Sequence, residues 1–180
     1  MKIHFSSIAV VGAGAMGQGI AQIATQAGSH VWLLDSKPGA ADKARQAIQQ
    51  QWAKLAAKGR VTEEQVQAWN QQLQIANTLA DLGPCQLVIE AVVERLEVKQ
   101  ALFAELERTL PANVVWATNT SSLSVTAIAA ALQQPERLAG FHFFNPVPLM
   151  KVVEVVAGLK TEPALCQALT AYARAMGHTP

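Results

Sequence analysis

The sequence predicts an α/β fold: a doubly wound, mainly parallel sheet with a helical hairpin inserted after the second strand. Three observations carry this. Short, nearly continuous apolar runs recur at residues 6–12, 30–35, 86–91, 114–118 and 138–144, separated by stretches of helical spacing. Such runs suit strands covered on both faces, and their alternation with helices implies a parallel sheet. The first run ends in Gly12-Ala13-Gly14-Ala15-Met16-Gly17 and opens directly into an apolar, small-residue helix. Residues 38–72 then break the alternation with two helical patterns in succession.

The elements follow in order. Residues 15–27 form the first helix, with Gly28 as its stop. Pro38 can open the next helix. Residues 40–58 are rich in Ala, Gln and Lys, all good helix formers, and Ile48, Trp52 and Leu55 are spaced to share a face. Gly59 ends this helix. Thr62 with Gln65 resembles a capping box for the hairpin's second arm, reaching about Gln72. Trp52 and Trp69 are expected to pack the two arms together. A short strand is expected at 73–76 and a turn at Gly83-Pro84. Residues 94–110 read as a helix with Leu96, Leu102, Phe103 and Leu106 inward, stopped by Pro111. A short helix over 124–132 follows the fourth long run. Residues 152–156 read as a final strand, and Thr161 as the cap of a last helix reaching Met176.

Bulk properties narrow the function. The chain has 180 residues, of which 51% are hydrophobic, and a formal net charge of +1. This excludes disorder and argues against broad electrostatic binding of nucleic acid. Cys85 and Cys166 form no CxxC pair, so both are expected to be reduced and structural, and a cytoplasmic location is the default. No run is long enough to span a bilayer, and the N-terminus lacks the apolar core of a signal peptide. The histidines (His4, His30, His142 and His178) are scattered, so no metal site is expected.

The chemistry collects where predicted strands end. In a Gly-x-Gly-x-x-Gly turn, Gly12 permits the tight turn, Gly14 admits a pyrophosphate and Gly17 lets helix and strand pack, a Rossmann-like signature. The first N–H groups of the helix, at Ala15 and Met16, would hold the phosphates. Asp35 closes the second apolar run about 20 residues on, where a carboxylate meets the ribose hydroxyls of an adenosine. An acid there repels a 2′-phosphate, which favours NAD over NADP. The competing reading is a structural glycine turn with a solvated Asp.

His142 is placed as a base for a hydroxyl proton. Glu154 lies in an apolar strand, and a buried carboxylate needs a partner. If the two strands are neighbours, Glu154 would fix the tautomer of His142. A structural His and an edge-strand Glu are the equally weighted alternative. Ser121 is placed either to bond a substrate oxygen or to cap the following helix. The hairpin lysines, Lys54 and Lys58, are placed either on a phosphate-bearing substrate or in plain solvent.

Four segments together resemble the L-3-hydroxyacyl-CoA dehydrogenases: residues 12–17, Glu90-Ala91-Val92-Val93-Glu94, Asn119-Thr120-Ser121-Ser122-Leu123 and His142-Phe143-Phe144-Asn145-Pro146. The resemblance runs over essentially the whole chain. Residues 94–99, Glu-Arg-Leu-Glu-Val-Lys, are most similar to the 3-hydroxybutyryl-CoA or phenylacetate-pathway branch. The resemblance implies His142 as catalytic base, Glu154 as its partner and Ser121 as a substrate contact. It implies Asp35, Glu94, Lys99, Asn119 and Asn145 on the cofactor side, and Lys58 on the CoA part of an acyl-CoA substrate. Gln51 stands where some relatives place a serine that contacts CoA. It further implies that residues 1–180 are an NAD-binding domain, with the hairpin at about 38–72. An all-helical domain that closes over the substrate and makes a homodimer would lie beyond Pro180. The expected reaction is NAD-dependent oxidation of an L-3-hydroxyacyl-CoA, with little turnover from this domain alone. The rival expectations are a dehydrogenase of a free hydroxy or sugar acid, and a non-catalytic NAD-binding module.

Overall fold

The computed structural model describes residues 5–180, so His4 lies outside the described residues. Seven strands form one sheet in the order β3-β2-β1-β4-β5-β6-β7. They are β1 (Ser7–Val11), β2 (His30–Leu34), β3 (Leu73–Ile75), β4 (Leu87–Glu90), β5 (Val115–Thr118), β6 (Leu138–Phe143) and β7 (Val153–Val156). The first six are parallel and β7 returns antiparallel. Chain order reverses between β1 and β4, which is the switch point where a doubly wound sheet opens a crevice for ligands.

The helices are α1 (Ala15–Gln26), α2 (Ala40–Ala57), α3 (Glu63–Gln72), α4 (Leu96–Thr109), α5 (Val125–Ala129) and α6 (Pro163–Ala175). Strand residues alternate between two buried clusters. Ile8, Val10, Leu33, Ile89 and Phe141 pack on one face with α1, α2 and α6. Ala9, Val11, Val88, Trp116 and Leu138 pack on the other with α4 and α5. Both faces are covered, which is why β1 and β4 read as unbroken apolar runs.

The hairpin forms as its local chemistry dictates. Gly59 lies at φ +66 just past α2, and the Thr62–Gln65 capping box opens α3. The rings of Trp52 and Trp69 lie 5.5 Å apart between the arms, with Trp52 fully buried.

Three expectations need correction. Helix α4 starts at Leu96, so Glu94 lies in the loop before it. Its inward face is as expected, with Phe103 and Leu106 buried and Leu96 and Leu102 packed partly buried against the same cluster, and it adds the buried Lys99. Gly39, at φ +76, precedes α2 where Pro38 was expected to open it. Thr161 does not cap α6, since Glu162 holds that position. Its hydroxyl instead donates to the Leu138 carbonyl at 2.6 Å and accepts from the Gly158 N–H, tying the β7–α6 loop to β6. Short 3₁₀ turns at Leu79–Leu82 and Pro135–Arg137 carried no clear sequence signal.

Cys85 is buried, Cys166 is half-buried, and both are free thiols. No helix among the described residues is long and apolar enough to cross a membrane.

Candidate active site

Because β1 to β6 are parallel, their C-terminal ends share one edge. Gly12, Asp35, the 91–94 loop, the 119–122 loop and His142 therefore come to the same rim. Gly12 turns the chain at φ +106, and a Cβ there would lie 2.4 Å from the Ala91 carbonyl oxygen. At Gly17 a Cβ would sit 1.7 Å from the Gly12 carbonyl oxygen, so helix and strand cannot pack around any larger residue. A Cβ at Gly14 would meet nothing within 4 Å, which leaves open space beside the start of α1. No side chain caps that helix, and its first turn holds no acid. The amides at Ala15 and Met16 with the helix dipole thus form a cradle for an anion.

The Asp35 carboxylate spans the turn, accepting from the Ala13 N–H at 2.7 Å and the Lys37 N–H at 2.8 Å. Gly12, Gly14, Asp35, Ala91, Val92 and Val98 line a cleft of about 420 Å³. Across the switch point a second cleft, about 360 Å³, is lined by residues that include Met16, Glu94, Lys99, Asn119, Ser121, His142 and Asn145. Ala91 and Val92 belong to both walls, so the two clefts are neighbours on either side of the 91–92 backbone.

His142 and Glu154 are register partners on β6 and β7. The imidazole Nδ1 lies 2.9 Å from a Glu154 oxygen. Glu154 is not the buried acid expected from its apolar strand, because its side chain is 58% exposed while that of His142 is 16%. Strand β7 is the sheet edge, where no further strand among the described residues covers Glu154. Water therefore screens the pair's charge, and the bond acts mainly on ring orientation. The Phe144 ring packs 4.5 Å from the imidazole. Asn119 accepts from the Phe143 N–H at 2.8 Å, joining the ends of β5 and β6.

Glu94 organises the serine loop. Its carboxylate accepts from the Thr120 hydroxyl, from the Ser121 N–H at 3.0 Å and from the Ser122 N–H at 3.3 Å. Desolvation pushes its pKa up, but the Thr120 and Lys99 hydrogen bonds and the Lys99 charge outweigh that and hold it down to about 2. Ser121 itself is exposed, and Ser124 rather than Ser121 caps α5 by accepting from the Ala127 N–H.

Sequence reasoning missed Glu90. It is fully buried and accepts from the Lys99 ammonium at 2.6 Å, the Thr118 hydroxyl at 2.6 Å and the Val92 N–H at 2.7 Å. Two signals were available: an acid closing an apolar strand, and a lysine at the helical spacing of Phe103 and Leu106. Gly19 was missed too. A Cβ there would lie 2.7 Å from Val147, so α1 presses against the turn after β6. That turn contains the cis Asn145–Pro146 peptide.

Lys54 and Lys58 do not reach these clefts. They are exposed one turn apart, Lys54 in the last turn of α2 and Lys58 just past its end. Their helix instead contributes Gln51 and Leu55 to a third groove, of about 620 Å³, shared with Gln18, Asn145, Val147 and Lys151. Asn145 lines both this groove and the His142 cleft. Among the described residues no cluster of three potential metal ligands occurs.

A glycine turn, an acid on the next strand and a cleft across the switch point define a dinucleotide-binding domain of the Rossmann type. The chain belongs to the 3-hydroxyacyl-CoA dehydrogenase family, whose NAD-binding-domain model matches residues 7–180, and its cofactor is NAD. It is 42% identical over 180 residues to 3-hydroxyadipyl-CoA dehydrogenase of Escherichia coli K12, covering 100% of this chain and 38% of that protein. It is 41% identical over 177 residues to a probable 3-hydroxybutyryl-CoA dehydrogenase of Bacillus subtilis, covering 98% of this chain and 62% of that one. The crystal structure of 3-hydroxybutyryl-CoA dehydrogenase from Ralstonia eutropha superposes with a TM-score of 0.93 at 32% identity, over 98% of this chain and 62% of its own. The chain thus spans between about two fifths and three fifths of the length of these relatives.

Proposed function

We propose that this chain is the cofactor domain of an NAD-dependent L-3-hydroxyacyl-CoA dehydrogenase acting on a short substrate of the 3-hydroxybutyryl-CoA or 3-hydroxyadipyl-CoA type. The observation that carries the reading is the His142–Glu154 pair, with His142 lining a cleft that shares the Ala91–Val92 wall with the cleft at the glycine turn. The residues fit the cofactor. The open space at Gly14 and the uncapped start of α1 suit a pyrophosphate, and Asp35 suits a ribose diol. When bound, NAD supplies the hydride acceptor.

His142 takes the substrate hydroxyl proton. With Nδ1 engaged by Glu154, Nε2 is the basic nitrogen left for that task. Glu154 holds the ring in this tautomer and steadies the imidazolium that forms. Ser121, on the loop gripped by Glu94, bonds the substrate oxygen. Asn119 and Asn145 shape the wall between cofactor and substrate. Lys54 and Lys58, beside the groove that meets the site at Asn145, attract the phosphates of CoA. Gln51 on that groove wall offers an amide in place of a hydroxyl.

The remaining substrate contacts, exclusion of water and a homodimer contact are assigned to an all-helical domain following this one, with the protein working in the cytoplasm. The test is a substrate panel read by NADH absorbance, run with this chain alone and joined to such a domain. Acetoacetyl-CoA should be reduced by the joined protein and free acetoacetate should not. Equal use of both would overturn the CoA assignment. Full turnover by the 180 residues alone would overturn the division of labour.

A further inference from the structure

We propose that Glu90, Lys99 and Glu94 act as one charge-setting unit that biases this domain toward the oxidised cofactor over the reduced one. The inference rests on the NAD reading above and concerns residues that reading leaves without a chemical task.

The Lys99 ammonium lies between two carboxylates, 2.6 Å from Glu90 and 3.1 Å from Glu94. One lysine against two glutamates leaves the unit with one negative charge. The other bonds do not cancel it. Glu90 accepts from the Thr118 hydroxyl and the Val92 N–H, and Glu94 from the Thr120 hydroxyl and two amides, all neutral donors. Neutral donors satisfy the carboxylate oxygens without adding a compensating charge. Glu90 is 0% exposed and Lys99 1%, so water screens that part of the unit weakly.

Lys99 and Glu94 line the His142 cleft, not the Asp35 cleft. With an adenosine ribose at Asp35 and the pyrophosphate at the start of α1, the other end of the dinucleotide falls in the His142 cleft. There the nicotinamide ring is a cation in NAD and neutral in NADH. The phosphates carry the same charge in both forms and drop out of the comparison. A wall bearing one negative charge therefore stabilises the oxidised form selectively.

The experiment compares the dissociation constants of NAD and NADH, by titration calorimetry on this chain, for the wild type, Glu90→Gln, Glu94→Gln and Glu94→Asp. Each Gln variant makes the unit neutral, from opposite ends of the lysine. Both should weaken NAD relative to NADH by about five- to tenfold, the size expected of one nearby charge in a partly screened cleft. Glu94→Asp keeps the charge and should keep the wild-type ratio. A Gln variant that binds both forms with the ratio within twofold of wild type overturns the proposal, because a purely structural role weakens both forms alike. Should the buried Glu90→Gln fail to fold, Glu94→Gln at the cleft rim decides alone. If the wild type binds neither form, the NAD reading falls first, and that outcome is distinct from an unmoved ratio.

Discussion

At the scale of single residues, two glutamates of the candidate site stand in opposite settings. Glu154 is exposed and bonds one imidazole nitrogen, so it orients more than it charges. Glu94 is 37% exposed but gathers a lysine, a hydroxyl and two amides, so it is held down to about 2. Replacing the proposed base, His142→Ala, should leave NAD affinity within a few-fold of wild type and lower turnover by about 10²- to 10⁴-fold in the catalytically competent protein. Unimpaired turnover would remove His142 from that role. The low pKa of Glu94 has a consequence for acid stability. A carboxyl whose folded pKa lies below its ordinary 4.5 stabilises the fold above that value. The contribution is lost as pH falls from about 4.5 through about 2. The stability gap between wild type and Glu94→Gln, measured by denaturant titration, should therefore close across that window. A gap constant from pH 6 to 2 would show that the carboxylate's bonds to the serine loop contribute nothing.

At the scale of elements, the glycine turn separates packing from ligand access. Gly17→Ala would drive a methyl into the Gly12 carbonyl and should destabilise the domain severely, by several kcal/mol. Gly14→Ala meets nothing in the fold, so its Tm should stay near wild type while NAD affinity falls, since the added methyl occupies the space beside the phosphate cradle. Thermal melts with and without NAD separate the two. An equal loss of stability in both variants would contradict the geometry. The hairpin is governed more locally. Thr62 accepts from Gln65 in a reciprocal cap, and Thr62→Ala should cost about 1 kcal/mol, read from the shift in denaturation midpoint.

For the whole molecule, parallel strand order does the gathering. Six strands running the same way bring residues from the whole length of the chain to one rim, and the antiparallel β7 sets Glu154 opposite His142. The groove formed by α1, α2 and the turn after β6 widens the site toward the hairpin lysines. The two clefts and the groove that adjoins them at Asn145 thus lie side by side at one sheet edge.

What the chain reveals unaided is whatever depends on near neighbours. The Gly12–Gly17 turn, the Gly28 and Gly59 stops and the Thr62–Gln65 cap all reside within a few residues, where backbone sterics and local hydrogen bonds decide. The strands were legible because burial on both faces demands unbroken apolar runs. Pairings between distant residues needed the fold. Residues 144–152 make too long a connection for turn geometry to set a register, so the contact of His142 with Glu154 rested on strand adjacency alone. The exposure of Glu154 followed from its place on an edge strand, which no periodicity reports. The burial of Lys99 between Glu90 and Glu94 was decided by tertiary structure, because only the packing of α4 against the ends of β4 and β5 brings one ammonium to two carboxylates, each of which also accepts from a threonine hydroxyl.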